Sequence, residues 1–195
     1  YEVTDKRGNT ASAVREVIVT LAPKATGGRI YLTFDDGPSS KVTPRILDIL
    51  KANNVKATFF IIDYDDENEH LVKRIFEEGH TIGIHGYSHI YSKIYSSEEA
   101  FMKNITTLRE KIKETTGYDS SVIRFPGGSS NLVSRDYNVG IMTRLTKLVK
   151  EEGYKYFDWN VESGDADGTT VDKDKIVSKV TCNLIKNGSN VVLMH

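Results

Sequence analysis

From residue 29 to residue 195, short apolar runs rich in β-branched residues alternate with longer segments of helical spacing. The runs lie at 29–34, 56–62, 80–85, 121–125, 154–160 and 190–195. Strand-length runs that alternate with helices in this way fold around a parallel sheet. Helices are expected at 43–53, 67–78, from Ser96 to Gly117, at 139–152 and at 172–187. Thr43 and Pro44 supply a cap and a first-turn proline for the first, and Ser96 with Glu99 forms a capping box for the third. Leu71, Val72, Ile75 and Phe76, then Phe101, Ile105, Leu108 and Ile112, recur at the spacing of a buried helical face, and Gly79, Gly117, Gly153 and Gly188 stop the later helices. No Rossmann-type glycine fingerprint follows the first strand, so a (β/α) barrel is favoured over an open dinucleotide-binding sheet. In such barrels chemistry sits at the carboxyl ends of strands.

A chain of 195 residues that is 38% hydrophobic and 27% charged suffices for one main domain with its own core. A formal net charge of -1 gives no reason to expect nucleic acid or an anionic membrane as partner, and nothing implies a partner protein. No apolar run approaches the ~18 residues of a membrane span. The single Cys182 rules out an internal disulfide; in a helical run without a thiolate-stabilising neighbour, it reads as a small packing residue.

Residues 1–21 have a different character, a polar turn at Asp5–Asn9 between two extended runs, and 22–28 form a loose linker before the main domain at 29–195. Tyr1 to Asp5, Gly8 to Thr10 and Val17 to Val19 resemble the last two strands of bacterial immunoglobulin-like surface repeats, which implies the terminal hairpin of an upstream domain. At the other end, Asn190 to His195 reads as a strand that delivers a histidine, and the barrel is expected to lack its last elements.

The motifs that carry chemistry all fall where a strand ends. Thr33-Phe34-Asp35-Asp36-Gly37-Pro38 sets two adjacent carboxylates at the first strand end, where neighbours point to opposite faces and take separate duties. His85 and His89 are spaced to converge on one metal, and Gly86 stands where a helical metalloprotease motif needs Glu. Arg124-Phe125-Pro126-Gly127-Gly128-Ser129 offers a fixed cation and then a backbone almost free of side chains, which suits an anion or a developing oxyanion. Asp158 to Asp165 brings three acids and Trp159, and His195 is the natural proton donor if one of those acids orients it.

Together and in this order, these five motifs resemble the polysaccharide deacetylases of carbohydrate esterase family 4, the NodB-homology group, over residues 29–195. The resemblance implies a distorted (β/α) barrel and a mononuclear divalent metal, usually zinc, with cobalt an alternative. It implies hydrolysis of N-acetyl groups on amino-sugar polysaccharides such as peptidoglycan or chitin, outside the cell or at its surface. It assigns Asp35 as general base, Asp36, His85 and His89 as metal ligands, and the Gly127 amide as oxyanion donor. His195 becomes the general acid, Arg124 the partner of Asp35, and Asp165 the group that holds His195. Phe125, Pro126, Trp159, Tyr87 and Leu193 are the expected substrate-facing residues.

The chain departs from the family pattern at Gly86, where many members have Ser or Thr, at Gly127, where many have an aromatic, and at Ala166, where many have Trp. Those changes call for bracing from elsewhere, such as Ser88, and for a cleft that is wider or walled by Trp159 or Tyr87. The alternative reading is a non-catalytic wall-glycan-binding module that keeps the scaffold.

Overall fold

The strand–helix alternation folds as one all-parallel sheet flanked by helices. The computed structural model describes residues 27–168 and 170–195, with the backbone of 2–4 and 10–12. Two short strands, β1 (Glu2–Thr4) and β2 (Thr10–Ser12), pair antiparallel. The turn expected between them, residues 13–21 and most of the linker at 22–28 lie outside the described residues.

The main domain runs β3 (Arg29–Asp35), α1 (Thr43–Ala52), β4 (Thr58–Ile62), α2 (Asp66–Glu77), β5 (Thr81–Gly86), α3 (Tyr91–Ile94) and α4 (Glu98–Thr116). It continues with β6 (Val122–Ile123), a 3-10 turn (Val133–Asp136), α5 (Ile141–Glu151), β7 (Lys155–Tyr156), β8 (Val161–Glu162), α6 (Lys173–Cys182) and β9 (Ser189–Met194). The strand order is β7-β6-β5-β4-β3-β9-β8. β7 and β8 are the two edges and do not pair, so among the described residues the expected distorted barrel is an open half-barrel of seven strands.

Several local expectations shift. Residues 154–160 are not one strand: only Lys155–Tyr156 pair, as β7, and the next strand, β8, starts after the run at Val161 on the opposite edge of the sheet. The carbonyls of Phe157 and Asp158 between them turn to the Arg124 side chain, which removes them from any ladder. The run at 121–125 keeps strand pairing only at Val122 and Ile123, because the Arg124 carbonyl turns to His85. Thr43 lies inside α1 rather than capping it, its hydroxyl accepting from the Ser39 amide at 2.8 Å. Ser97, one residue after the expected Ser96, caps α4 by accepting from Ala100 N at 3.1 Å.

Helices α1, α2, α4 and α5 bury Leu47, Val72, Ile75, Phe101, Ile105, Leu108, Ile112, Leu145 and Val149 against Phe59, Ile61, Ile82 and Ile84 of the sheet. Helix α6 buries no residue, and Cys182 at its end is exposed, contrary to the packing role expected of it. Along β4 the alternation turns Phe60 away from Phe59 and Ile61. The Phe60 ring lies over Gly83 of β5, where a Cβ would sit 2.4 Å from its Cδ1, and the Arg124 guanidinium stacks on the same ring at 4.1 Å. Gly83→Ala therefore forces Phe60, and with it Arg124, to move. A loss of about 1–3 kcal/mol is expected from such overpacking, read from the midpoint of denaturant unfolding; an unchanged midpoint would count against this packing.

Candidate active site

Asp35 and Asp36 end β3 in different environments. Asp35 is buried, whereas Asp36 is exposed and adopts a left-handed backbone (φ 66) that breaks the extended run. The second ligand group comes from β5. Ile61 of β4 pairs with Ile84 and Ile62 with Gly86, which leaves His85 as the extra residue of a bulge. Bulges re-aim side chains beside functional sites, and here His85 Nε2 lies 3.5 Å from Asp36 Oδ1 and 3.8 Å from Asp35 Oδ2. His89 Nε2 approaches Asp36 Oδ1 to 3.7 Å.

One ligand atom from each of Asp36, His85 and His89 lies within 4.8 Å of the others, a set of two imidazole nitrogens and one carboxylate oxygen that suits a divalent transition metal. His85 Nδ1 pairs with the Arg124 carbonyl at 2.9 Å, which makes it the protonated nitrogen and leaves Nε2 free to ligate. Burial lowers the His85 pKa to about 4, so this imidazole is neutral, the form a metal needs.

Arg124, fully buried, spans the sheet interior to reach Asp35. Its Nη1 donates to Asp35 Oδ1 at 2.7 Å and to Thr33 Oγ1 at 2.8 Å, and its Nε to the Phe157 carbonyl at 3.0 Å. Burial nevertheless pushes the Asp35 carboxyl up to about 6, with Arg124 pulling against it and Asp36 adding to the rise. Directly after β9, the strand that pairs with β3, the His195 backbone donates to Asp165 at 2.6 Å and its Nδ1 pairs with the same carboxylate at 3.0 Å. Those contacts raise the His195 pKa, the hydrogen bond being the largest cause, and leave Nε2 as the free proton carrier. Asp158, the competing acid, instead accepts from the amide and hydroxyl of Ser129.

The expected substrate-facing residues divide. Tyr87 is exposed, and Leu193 lines a cavity of about 170 Å3 together with Ser163, Asp165 and His195. Trp159 donates to Glu162 at 3.1 Å and packs on Gly128, where a Cβ would meet its ring at 3.2 Å. Phe125 does not face a cleft: it is fully buried, stacked on Phe101 at 5.0 Å and against Tyr156 at 5.3 Å. Pro126 is buried as well, its carbonyl accepting from Tyr95 Oη at 2.7 Å. Gly127 is exposed with φ 75, open to the cleft.

Bracing of the histidine loop comes from Asn104 of α4, a residue the motif reading passed over, rather than from Ser88 alone. Asn104 Oδ1 accepts from Ser88 N at 2.7 Å, its Nδ2 donates to Ser88 O at 3.2 Å, and its carbonyl accepts from Tyr87 N. Gly86 (φ 140) gives it room, since a Cβ there would lie 2.4 Å from Asn104 Nδ2. The signal was a polar residue on the apolar face between Phe101 and Leu108.

The family model for polysaccharide deacetylases matches residues 22–156 of this chain. The chain is 37% identical over 172 residues to the peptidoglycan-N-acetylglucosamine deacetylase PgdA of Listeria monocytogenes, covering 84% of this chain but only 34% of that relative. A peptidoglycan-N-acetylglucosamine deacetylase of Bacillus cereus is 33% identical over 204 residues, covering all of this chain and 67% of the relative. Among solved structures, the catalytic domain of peptidoglycan N-acetylglucosamine deacetylase from Eubacterium rectale superimposes with a TM-score of 0.82 at 45% identity, over 87% of this chain and 76% of that one. The chain belongs to the polysaccharide deacetylase family.

If Asn104 holds the ligand loop, Asn104→Ala lowers metal affinity about tenfold, the loss expected when a support outside the ligand set is removed. Calorimetric zinc titration checks this. Equal affinity in the variant would leave the loop braced by the sheet alone.

Proposed function

We propose that this domain is a metal-dependent N-deacetylase of amino-sugar polysaccharides, with N-acetylglucosamine units of peptidoglycan as the favoured substrate over chitin or N-acetylmuramic acid. One observation carries the reading: a two-imidazole, one-carboxylate cluster stands beside a buried carboxylate clamped by Arg124, and the neighbouring strand ends in an imidazole held by Asp165. The activities of the relatives supply the substrate class. A non-catalytic glycan-binding module would have no use for an imidazole held by Asp165 beside the cluster.

In the reaction a water and an acetamide become a free amine and acetate. Zinc, or another divalent ion such as cobalt, held by Asp36, His85 and His89 would supply a Lewis acid that acidifies water and polarises the acetyl carbonyl. Asp35, oriented by Arg124, takes the proton from the attacking water. The exposed amide of Gly127 donates to the oxygen that gains charge as the carbon becomes tetrahedral. His195, protonated on Nε2 and steadied by Asp165, delivers a proton to the departing nitrogen. Peptidoglycan lies outside the membrane, so the site works at or beyond the cell surface; no helix among the described residues is long and apolar enough to cross a membrane.

Acetate release from peptidoglycan, with mass spectrometry of the muropeptides to locate the lost acetyl groups, is the direct test. Turnover is expected to disappear with a chelator and return with zinc, and Asp35→Asn to fall by about 100-fold or more. Glycan capture without acetate release would support the binding-module reading instead.

The pH profile tests the second pair. His195 must carry its proton, so turnover is present below the pKa that Asp165 raises and is lost as pH climbs through it. Asp165→Asn removes that support and is expected to move the alkaline limb of kcat to lower pH. A limb that stays in place would remove His195 from the acid role.

A further inference from the structure

The deacetylase reading leaves a gap in the cleft at Gly127, which offers an amide but no side chain. Tyr91, at the start of α3, fills that space from another element: a Cβ on Gly127 would lie 2.5 Å from Tyr91 Oη. The Tyr91 ring is held on two sides, edge-on to His89 at 5.5 Å and edge-on to Tyr95 at 5.5 Å. Tyr95 is itself fixed by its hydrogen bond to the Pro126 carbonyl, one residue before Gly127. Among the described residues no group accepts from or donates to the Tyr91 hydroxyl. A half-buried phenol whose ring is fixed, and whose O–H has no partner in the protein, is a preorganised donor for a ligand.

We propose that the Tyr91 hydroxyl is a second hydrogen-bond donor to the acetyl oxygen, placed beside the Gly127 amide and across from the ligand His89. This rests on the deacetylase reading, since it is the acetyl group that His89 and Gly127 flank. The bare Gly127 is then a requirement: with any side chain there, the phenol could not approach the amide. The left-handed backbone of Gly127 and Gly128 (φ 75 and 85) and their missing side chains let Tyr91 approach from one residue and Trp159 from the next. A neutral O–H is matched to an oxygen that becomes more negative in the transition state than in the bound substrate, so its effect falls on turnover more than on binding.

Tyr91→Phe keeps the ring and its packing and removes only the donor. With N-acetylglucosamine oligomers and zinc-loaded full chain, kcat is expected to drop about 10–100-fold while KM stays within about twofold. Zinc content and the unfolding midpoint are measured on the same samples and are expected to match the parent. A kcat within about twofold of the parent overturns the proposal. So does a loss that appears only in KM, which would make Tyr91 a wall of the cleft, or a loss that tracks lowered zinc content or stability. Absence of acetate release by the parent chain would instead overturn the deacetylase reading, an outcome separable from failure of the Tyr91 assignment alone.

Discussion

The buried ion pair between Arg124 and Asp35 ties the rest of the structure together. It joins β6 to β3 across two intervening strands, with both side chains almost wholly removed from water. Burying a guanidinium and a carboxylate carries a desolvation penalty of several kcal/mol per ion, offset only when geometry and further hydrogen bonds are good. Arg124 meets that condition. Besides Asp35 it reaches Thr33 Oγ1, the carbonyls of Phe157 and Asp158, and the face of Phe60. Thr33 in turn donates to the Val192 carbonyl at 2.7 Å, so the network runs on to β9, the strand that delivers His195. A side chain used in this way positions Asp35, the segment between the two sheet edges and the last strand at once.

Two backbone irregularities do the remaining positioning. A regular β3 would send Asp36 to the face opposite Asp35, and a regular β5 would keep His85 in register with its neighbours. The left-handed conformation of Asp36 and the bulge at His85 take both residues out of the regular ladder and bring them together. Aspartate tolerates the left-handed region better than most residues, which is one reason this carboxylate can sit there. The aromatic chain His85, His89, Tyr91, Tyr95, Phe101, Phe125 and Tyr156, each ring 5.0–5.9 Å from the next, links these irregular segments to the core. Phe125 therefore serves the site from beneath it, as support rather than as a surface for sugar.

Legibility in the sequence followed the strength of the local signal. β3, β5 and β9 were readable nearly to the residue, because an apolar run ending in a chemically loaded motif marks where a strand stops. The segment 154–160 was misread as one strand because β-propensity sees Tyr154, Tyr156 and Phe157 but not the Arg124 donors that draw its carbonyls out of the sheet. The proximity of Asp36, His85 and His89, and the pairs Asp35–Arg124 and Asp165–His195, were readable through motif order. Asn104, Phe60 and Tyr91 were not, since each acts through a residue distant in the chain. The nearest to a signal was Asn104, a polar group on an apolar helix face, and Tyr91 had none beyond the missing side chain at Gly127.

Charge placement gives a reason for Asp35 to stand beside the cluster of Asp36, His85 and His89. Burial raises Asp35 toward its protonated form, and the adjacent negative charge of Asp36 pushes in the same direction, against the pull of Arg124. An unassisted Asp35 would thus be a base for only part of the neutral range. A divalent cation held by Asp36, His85 and His89 would reverse the sign of the local field, because it would be the largest charge in the site and next to the acid. It would turn Asp36 from a destabilising neighbour into a ligand and favour the ionised form of Asp35. His195 has its own acid, Asp165, whose hydrogen bond raises its pKa and would help it keep its proton near such a cation. Asp35 has Arg124 and Asp36 for neighbours whereas His195 has Asp165, and it is these different partners that would hold one group ionised and the other protonated at the same pH.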